Sequence, residues 1–561
     1  EMKKKIIVIL AMLCLLASCA PGDVHEEKSS NYVFYKKNGE IFFTALEKVE
    51  PKQLTEKFSF DGSGEWNYTR WYEPKAVGDL AYFVDYGIEK QEDIQDLYSE
   101  GLNLYCRQLN QAGAKNVLID KDIADYLIGE ENVLYDKISG ELHQWKVGGV
   151  NEMVADNLKI EYRPEYKMSK DGKRFVYLNK EGNLYLKDSG KDEFIDSNVD
   201  IIESMNDNAS VLLYIKSDKD ADIMYCKQSG KAIERLGEIM GMSYRTEAYF
   251  DKHRVAVAQS FPLADLVEND LEASHPLLKD WNELSEKRAL NFYNIYYIGE
   301  NSLEKLDGEY FMWEGFNEPE DWGQMSLRKI TEKEFAKPKL SEFQKAEDVV
   351  DAIYLRMLDN SELFFPINEK SIKIQEGDSD MFNNPEGTRL YFSRNVKEGR
   401  GDLYMSDITQ KEAGEPKKIL ENVSALSVLF AKEGKVWAYL DKEENGDETL
   451  YVDGKKTDEG IESYSADYDK ENQAIYYEVP YKEDGRISEL KVYRDGAVKS
   501  ISKNCYHKIL TESGKIIYLA DWDHTSEKGK LYYYDGEQSV LLDENVEEIF
   551  SDYMQYGQVR E

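Results

Sequence analysis

The chain repeats one short unit, and that repetition limits its fold more than any other property. An apolar–aromatic run leads into a turn, and the next run opens with Gly-x-(Leu/Ile)-aromatic. Gly39-Glu-Ile-Phe42, Gly182-Asn-Leu-Tyr185, Gly401-Asp-Leu-Tyr404 and Gly529-Lys-Leu-Tyr532 are clear copies, and Gly140-Glu-Leu-His143 is a variant. The incoming runs carry Tyr35, Tyr135, Tyr177, Tyr391 and Tyr518. Polar residues and glycine between two β-rich runs are the signal of a hairpin. A second signature follows at a nearly fixed distance: Asn157-Leu158, Asn198-Val199, Asn422-Val423 and Asn545-Val546. Two signatures in step require a true repeat, because chance would have to align both.

Looser copies pair Leu80–Val84 with Leu102–Tyr105, Val211–Ile215 with Ile223–Tyr225, Val436–Leu440 with Thr449–Val452, and Ile475–Val479 with Leu490–Tyr493. Units start near 32, 80, 132, 174, 211, 389, 435, 474 and 515, and a split tenth joins Arg254–Gln259 to Phe292–Ile298. A spacing of roughly 37–53 residues suits one four-stranded blade each. Strands do not alternate with long helices, which argues against a parallel α/β sheet. The expected fold is all-β: a β-propeller of about 8–10 four-stranded units, in one large ring or two smaller ones, with a partly helical insertion. The rhythm resembles that of TolB-like and dipeptidyl-peptidase propellers over about residues 31–300 and 386–550. The resemblance implies architecture and leaves function open. Trp522-Asp523 is the one Trp-Asp dipeptide, and it lies out of phase with a WD repeat.

Residues 1–18 read as a secretory signal: Lys3, Lys4 and Lys5, then an apolar run from Ile6 to Ala17. That run is too short to span a bilayer, which takes about 20 apolar residues. Leu16-Ala17-Ser18-Cys19 resembles the lipobox of bacterial lipoproteins, which implies that Cys19 is lipidated and becomes the new N-terminus. Residues 19–31 then form a tether, 32–300 and 386–561 carry propeller repeats, and the localisation expected is the outer face of a cell membrane. The net charge of −38 becomes −40 once the signal, with its three lysines and one glutamate, is removed. Such a charge excludes nucleic acid as a general partner. Cys106, Cys226 and Cys505 are an odd set with no CxxC, so neither a disulfide framework nor a zinc site is expected. Cys106 and Cys226 each follow the repeat tyrosine and are expected to be buried free thiols.

The rhythm breaks twice. Within 261–288, Leu263, Leu266, Val267, Leu277, Trp281 and Leu284 fall at helical spacing. The stretch 301–385 is a mixed insertion with a helix over 341–360. That helix is expected to open on the capping box Ser341-x-x-Gln344 and to present Phe343, Ala346, Val350, Ile353 and Met357 as one stripe. Between them, aromatics alternate with carboxylates. Tyr310, Trp313, Glu314, Phe316, Glu318, Asp321 and Trp322 form the candidate ligand site. Flat rings with acceptors suit a sugar, or a cation through its attraction to the ring face.

No Gly-x-Ser-x-Gly, Walker loop or HExxH is present, and no catalytic residue, metal or cofactor is assigned. Asp218-x-Asp220-x-Asp222 alternates like a calcium loop, but Ile223 and Ser229 stand where Gly and Glu are needed. Arg400-Gly401-Asp402 spells an adhesion tripeptide within the repeat. The expected function is a surface-anchored propeller that binds a glycan, peptide or envelope protein. The alternatives are a structural or sensory lipoprotein that docks another protein, and a carboxylate-dependent hydrolase or lyase of the envelope.

Overall fold

A computed structural model describes residues 32–550, apart from 56–73, 86–101, 240–249, 313–326, 331–336 and shorter stretches. Among the described residues strands dominate, paired antiparallel into eight sheets. Two of these, of seven strands each, contain two blades apiece, so the eight sheets make ten blades. The second strands of blades 1 to 10 are Tyr32–Lys37, Leu80–Asp85, Asn132–Lys137, Arg174–Leu178, Val211–Asp218, Arg254–Pro262, Arg389–Lys397, Val436–Lys442, Ala474–Tyr481 and Ile516–Asp523. All ten begin within a few residues of the unit starts read from the sequence. The merged sheets arise from two long strands. Val117–Ile128 and Ala497–Leu510 each pair first as the outer strand of one blade and then as the inner strand of the next.

The first and last described strands close the ring. Glu548–Ile549 supplies the inner strand of blade 1, with Tyr35 opposite Ile549 and Lys36 opposite Glu548. Buried apolar clusters straddle each of the ten seams in turn, including the seam from blade 10 back to blade 1. The described residues therefore form a single circuit of blades. Seven tyrosines, Tyr35, Tyr82, Tyr135, Tyr214, Tyr391, Tyr477 and Tyr518, are among the largest fully buried side chains. Each such ring contributes about 2–3 kcal/mol of apolar burial.

The structure explains both signatures. The aromatic of Gly-x-(Leu/Ile)-aromatic lies directly across from the incoming aromatic and stacks on it, as in Tyr35–Phe42, Tyr135–His143, Tyr177–Tyr185 and Tyr518–Tyr532. The Asn-(Val/Leu) pair is tied to the same glycine. Leu158 and Val199 donate their N–H groups to the carbonyls of Gly140 and Gly182, while Val423 and Val546 pair with Gly401 and Gly529. A Cβ on Gly182 would stand 3.2 Å from the Val199 carbonyl. Asn198, Asn422 and Asn545 adopt left-handed φ near +50 to +59°, which turns the outer strand toward the next blade.

Blade 6 departs from the pattern. Its strands Arg254–Pro262 and Ala289–Ile298 run on into an eight-stranded sheet that also contains Tyr310–Met312, Leu327–Ile330, Ser361–Ile367 and Lys370–Lys373. Two helices flank it, α1 (Pro276–Ser285) and α2 (Ala346–Asp359). The capping box does not form. Ser341 sits in a 3-10 turn, and its hydroxyl and N–H donate to Asp270 at 2.5 and 2.9 Å, so the helix proper starts at Ala346. The buried face of α2 is Ala346, Val349 and Ile353, with Val350 and Phe343 at its margin.

Candidate functional site

Each regular blade runs inner, second, third, outer strand. The hairpin between second and third strands and the link to the next blade therefore share one end of the ring. In blade 6 the segment carrying α1 replaces that hairpin, so the insertion stands at this end. It has its own core. Leu263, Leu266, Leu277, Leu278 and Trp281 pack against Leu340, Ala346, Val349 and Ile353, and this cluster contains no residue of a regular blade. Hydrogen bonds join the two helical segments: Glu268 N–H donates to the Pro338 carbonyl, and Leu340 N–H to the Glu268 carbonyl.

Of the seven residues expected to contact a ligand, only the backbone of Tyr310 falls within the described residues. It opens strand Tyr310–Met312 and pairs with Tyr293 on one side and Lys329 on the other. Trp313, Glu314, Phe316, Glu318, Asp321 and Trp322 lie outside the described residues, as does Cys19. Asp218 pairs with Ala221, and Ser217 donates to Asp222 at 2.6 Å, while Asp220 lies outside the described residues. Arg400 is used internally, holding Asp441 of the next blade at 2.7 Å. Cys106, Cys226 and Cys505 are buried free thiols, and burial raises the pKa of each. Among the described residues no group of three or more His, Cys, Asp and Glu side chains could hold a metal ion.

The same end of the ring carries an arrangement that the repeat pattern alone did not reveal. At four seams an aspartate on the outer strand of one blade receives the repeat tyrosine and a lysine of the next. Asp543 accepts Tyr35 Oη at 2.8 Å and Lys37 Nζ at 2.6 Å. Asp120 accepts Tyr135 and Lys137 at 2.8 and 3.1 Å, and Asp196 accepts Tyr214 and Lys216 at 2.7 and 3.1 Å. Asp458 accepts Tyr477 and Lys491 at 2.8 and 2.9 Å. Each carboxylate also takes the N–H of its following residue. Burial works to raise Asp120, Asp196 and Asp458, but these donors outweigh it and hold all three below the usual carboxylate range. The aspartate always stands two residues before a left-handed residue: Asp122, Asn198, Gly460 and Asn545. The signal was thus an acid two places ahead of the turn residue.

Two other acids follow the repeat tyrosine directly, where most blades place an apolar residue. Asp136 is fully buried. Its Oδ1 accepts Tyr166 Oη at 3.1 Å, and its Oδ2 has no hydrogen-bond partner. Asp125 stands directly across the strand pair. Burial, and then the Asp125 charge, push Asp136 up to about 7. Glu478 is also pushed up to about 7, by burial reinforced by Glu462 and Asp467 against the opposing pull of Lys508. Asp136 is sealed within its seam, a structural acid rather than a group presented to a substrate, whereas Glu478 is half-buried.

No family model and no curated protein matches the chain. Solved structures resemble it distantly. A crystal structure of the eukaryotic initiation factor aligns over 85% of this chain and 98% of that one, at 9% identity and a TM-score of 0.30. The β-propeller domain of the Trilobed protease from Pyrococcus furiosus aligns over 77% and 97%, at 13% identity and a TM-score of 0.20. Acylaminoacyl peptidase from Pyrococcus horikoshii aligns over 84% of this chain but 52% of its own, at 12% identity and a TM-score of 0.25. The propeller assignment rests on this chain's own strand pairing and closure.

Proposed function

We propose that the chain is a lipid-anchored binding module of the cell envelope. The ring is the scaffold, and the insertion on blade 6 supplies the contact surface for a glycan, peptide or partner protein. The observation that carries this reading is the separate core of the insertion at one end of the ring. Insertions on repeat scaffolds gather on one face, often the binding face. In this reading Tyr310, Trp313, Phe316 and Trp322 offer ring faces, and Glu314, Glu318 and Asp321 accept hydrogen bonds. Cys19 carries the lipid, and two acyl chains hold far more firmly than one at about 0.8 kcal/mol per buried CH₂.

The experiment is a glycan and peptide panel probed with the wild-type chain and with Trp313→Ala and Trp322→Ala. Loss of a bound ligand in either variant supports the reading, and tight binding unaffected by both removes the insertion from it. Separately, Cys19→Ala is expected to release the protein from membranes, and unchanged retention contradicts the anchor.

A further inference from the structure

Blade 10 carries an aromatic arrangement that the repeat does not require. Tyr506 and Trp522 stack with ring centroids 4.1 Å apart and an interplanar angle of 5°. His524 stands beside Tyr506, 6.3 Å away and nearly perpendicular at 76°. Trp522 packs on the cluster at the seam between blades 10 and 1, while Tyr506 is 36% exposed.

Two irregularities bring the rings together. The ladder shifts register between Cys505 and His507 on one strand, and between Ala520 and Asp523 on its partner. Asp521 takes a left-handed φ of +52° within the second shift. Bulges of this kind re-aim side chains and are common beside functional sites. Blade 7 has a comparable shift between Arg394 and Lys397, with Asn395 left-handed, but the residue carried there is Val396. The bulge is thus shared by blades 7 and 10, and of these two only blade 10 carries an aromatic on it.

The surroundings select the chemistry. Asp521, next to Trp522 in the chain, accepts Lys530 Nζ at 3.0 Å and Asn504 Nδ2, two residues before Tyr506, at 3.3 Å; Asp521 and Asn504 are exposed and Lys530 is half-exposed. Donors and acceptors of both signs thus adjoin the ring pair along the chain. A quaternary ammonium is held by a cage of several ring faces. Here Trp522 covers one face of Tyr506, which leaves a platform rather than a cage. A pyranose fits a platform: its C–H face lies on the ring while its hydroxyls reach the polar border.

We propose that Tyr506, backed by Trp522, is a stacking platform for a neutral sugar ring, with Asn504, Asp521 and Lys530 meeting its hydroxyls. The platform lies at the end of the ring that bears the insertion, because Trp522 ends a second strand and Tyr506 lies where the outer strand of blade 9 becomes the inner strand of blade 10. It does not depend on the aromatics of the insertion.

The test is calorimetric titration of the full chain with cellotetraose, maltotetraose and chitotetraose, and with tetramethylammonium as the cation probe. At least one tetrasaccharide is expected to bind saturably. Tyr506→Ala is expected to weaken it about tenfold or more, and Tyr506→Phe to change it by less than about threefold. Absence of binding by all three sugars at about 10 mM overturns the proposal. So does unchanged affinity in Tyr506→Ala, or tighter binding of tetramethylammonium than of any sugar. Loss confined to Trp313→Ala and Trp322→Ala overturns the platform while supporting the insertion. Loss confined to Tyr506→Ala does the reverse.

Discussion

Asp120 and Asp136 lie on adjoining strands of one sheet, and their environments are opposite. Asp120 faces the seam with Tyr135, Lys137, Asn151 and a backbone N–H around it, and it is held charged. Asp136 faces the other side with one tyrosine hydroxyl, an unpartnered oxygen and a second carboxylate opposite. Donors within reach turn a half-buried carboxylate into a fastener, whereas full burial with few donors drives a carboxylate toward the neutral form.

The largest test of this contrast is Asp543→Ala. It strips the fastener at the seam that joins the chain ends and leaves Lys37 and Tyr35 without their shared acceptor. A loss of about 3 kcal/mol is expected in denaturant unfolding. A loss below about 1 kcal/mol would show that apolar packing holds the closure without it.

Asp136→Asn is expected to act in the opposite direction, and only at higher pH. The folded pKa of Asp136 is raised from its ordinary value near 4 to about 7, so its contribution is intact below pH ~4. Stability then declines as pH rises toward 7 and stays lowered above it. The asparagine variant escapes that decline, gaining about 2 kcal/mol at pH 8 and nothing at pH 4. A gain equal at both values would mean the effect is steric. Asp120, Asp196 and Asp458 have the reverse sign. Their contribution is present above pH ~4 and is lost as pH falls through their lowered values.

Smaller effects sharpen the same comparison at the tyrosines. Tyr135→Phe removes one donor from Asp120 and should cost about 1 kcal/mol. Tyr82 is also fully buried, but its hydroxyl has no hydrogen-bond partner. Tyr82→Phe should therefore cost nothing and gain up to about 1 kcal/mol in thermal or denaturant unfolding. Equal losses in the two variants would show that the aspartate partner contributes nothing. Lys418→Ala, which breaks an exposed pair with Glu421, should leave the melting curve unchanged.

The architecture was legible because its signals are local. The second strand of each blade, its glycine turn and its asparagine link recur within a few dozen residues, and the Gly–Val pairing ties them into one offset. The fasteners were not legible in the same way. Tyr35 finds its acid at Asp543, at the far end of the chain, and only ring closure brings the two together. The Asp-x-Asn order at Asp196 and Asp543 was visible but carried no meaning until the tyrosine lay opposite. Ser341 shows a local signal overridden by a tertiary one: its capping box gave way to Asp270 on the other helical segment. Tyr506 and Trp522 were hidden for another reason. Their stack depends on two register shifts, and a regular period cannot encode them.

The central structural claim is that the first and last described strands meet in blade 1. Lys36 and Glu548 are cross-strand partners there, and Cys106, Cys226 and Cys505 are buried. A Lys36→Cys/Glu548→Cys variant should therefore oxidise to a single intramolecular disulfide under mild conditions, visible by mass spectrometry after proteolysis. The crosslinked chain should unfold at a higher temperature than its reduced form, since joining ends this far apart removes a large loop entropy from the unfolded state. Failure of these two cysteines to join in the folded protein would contradict the closed ring.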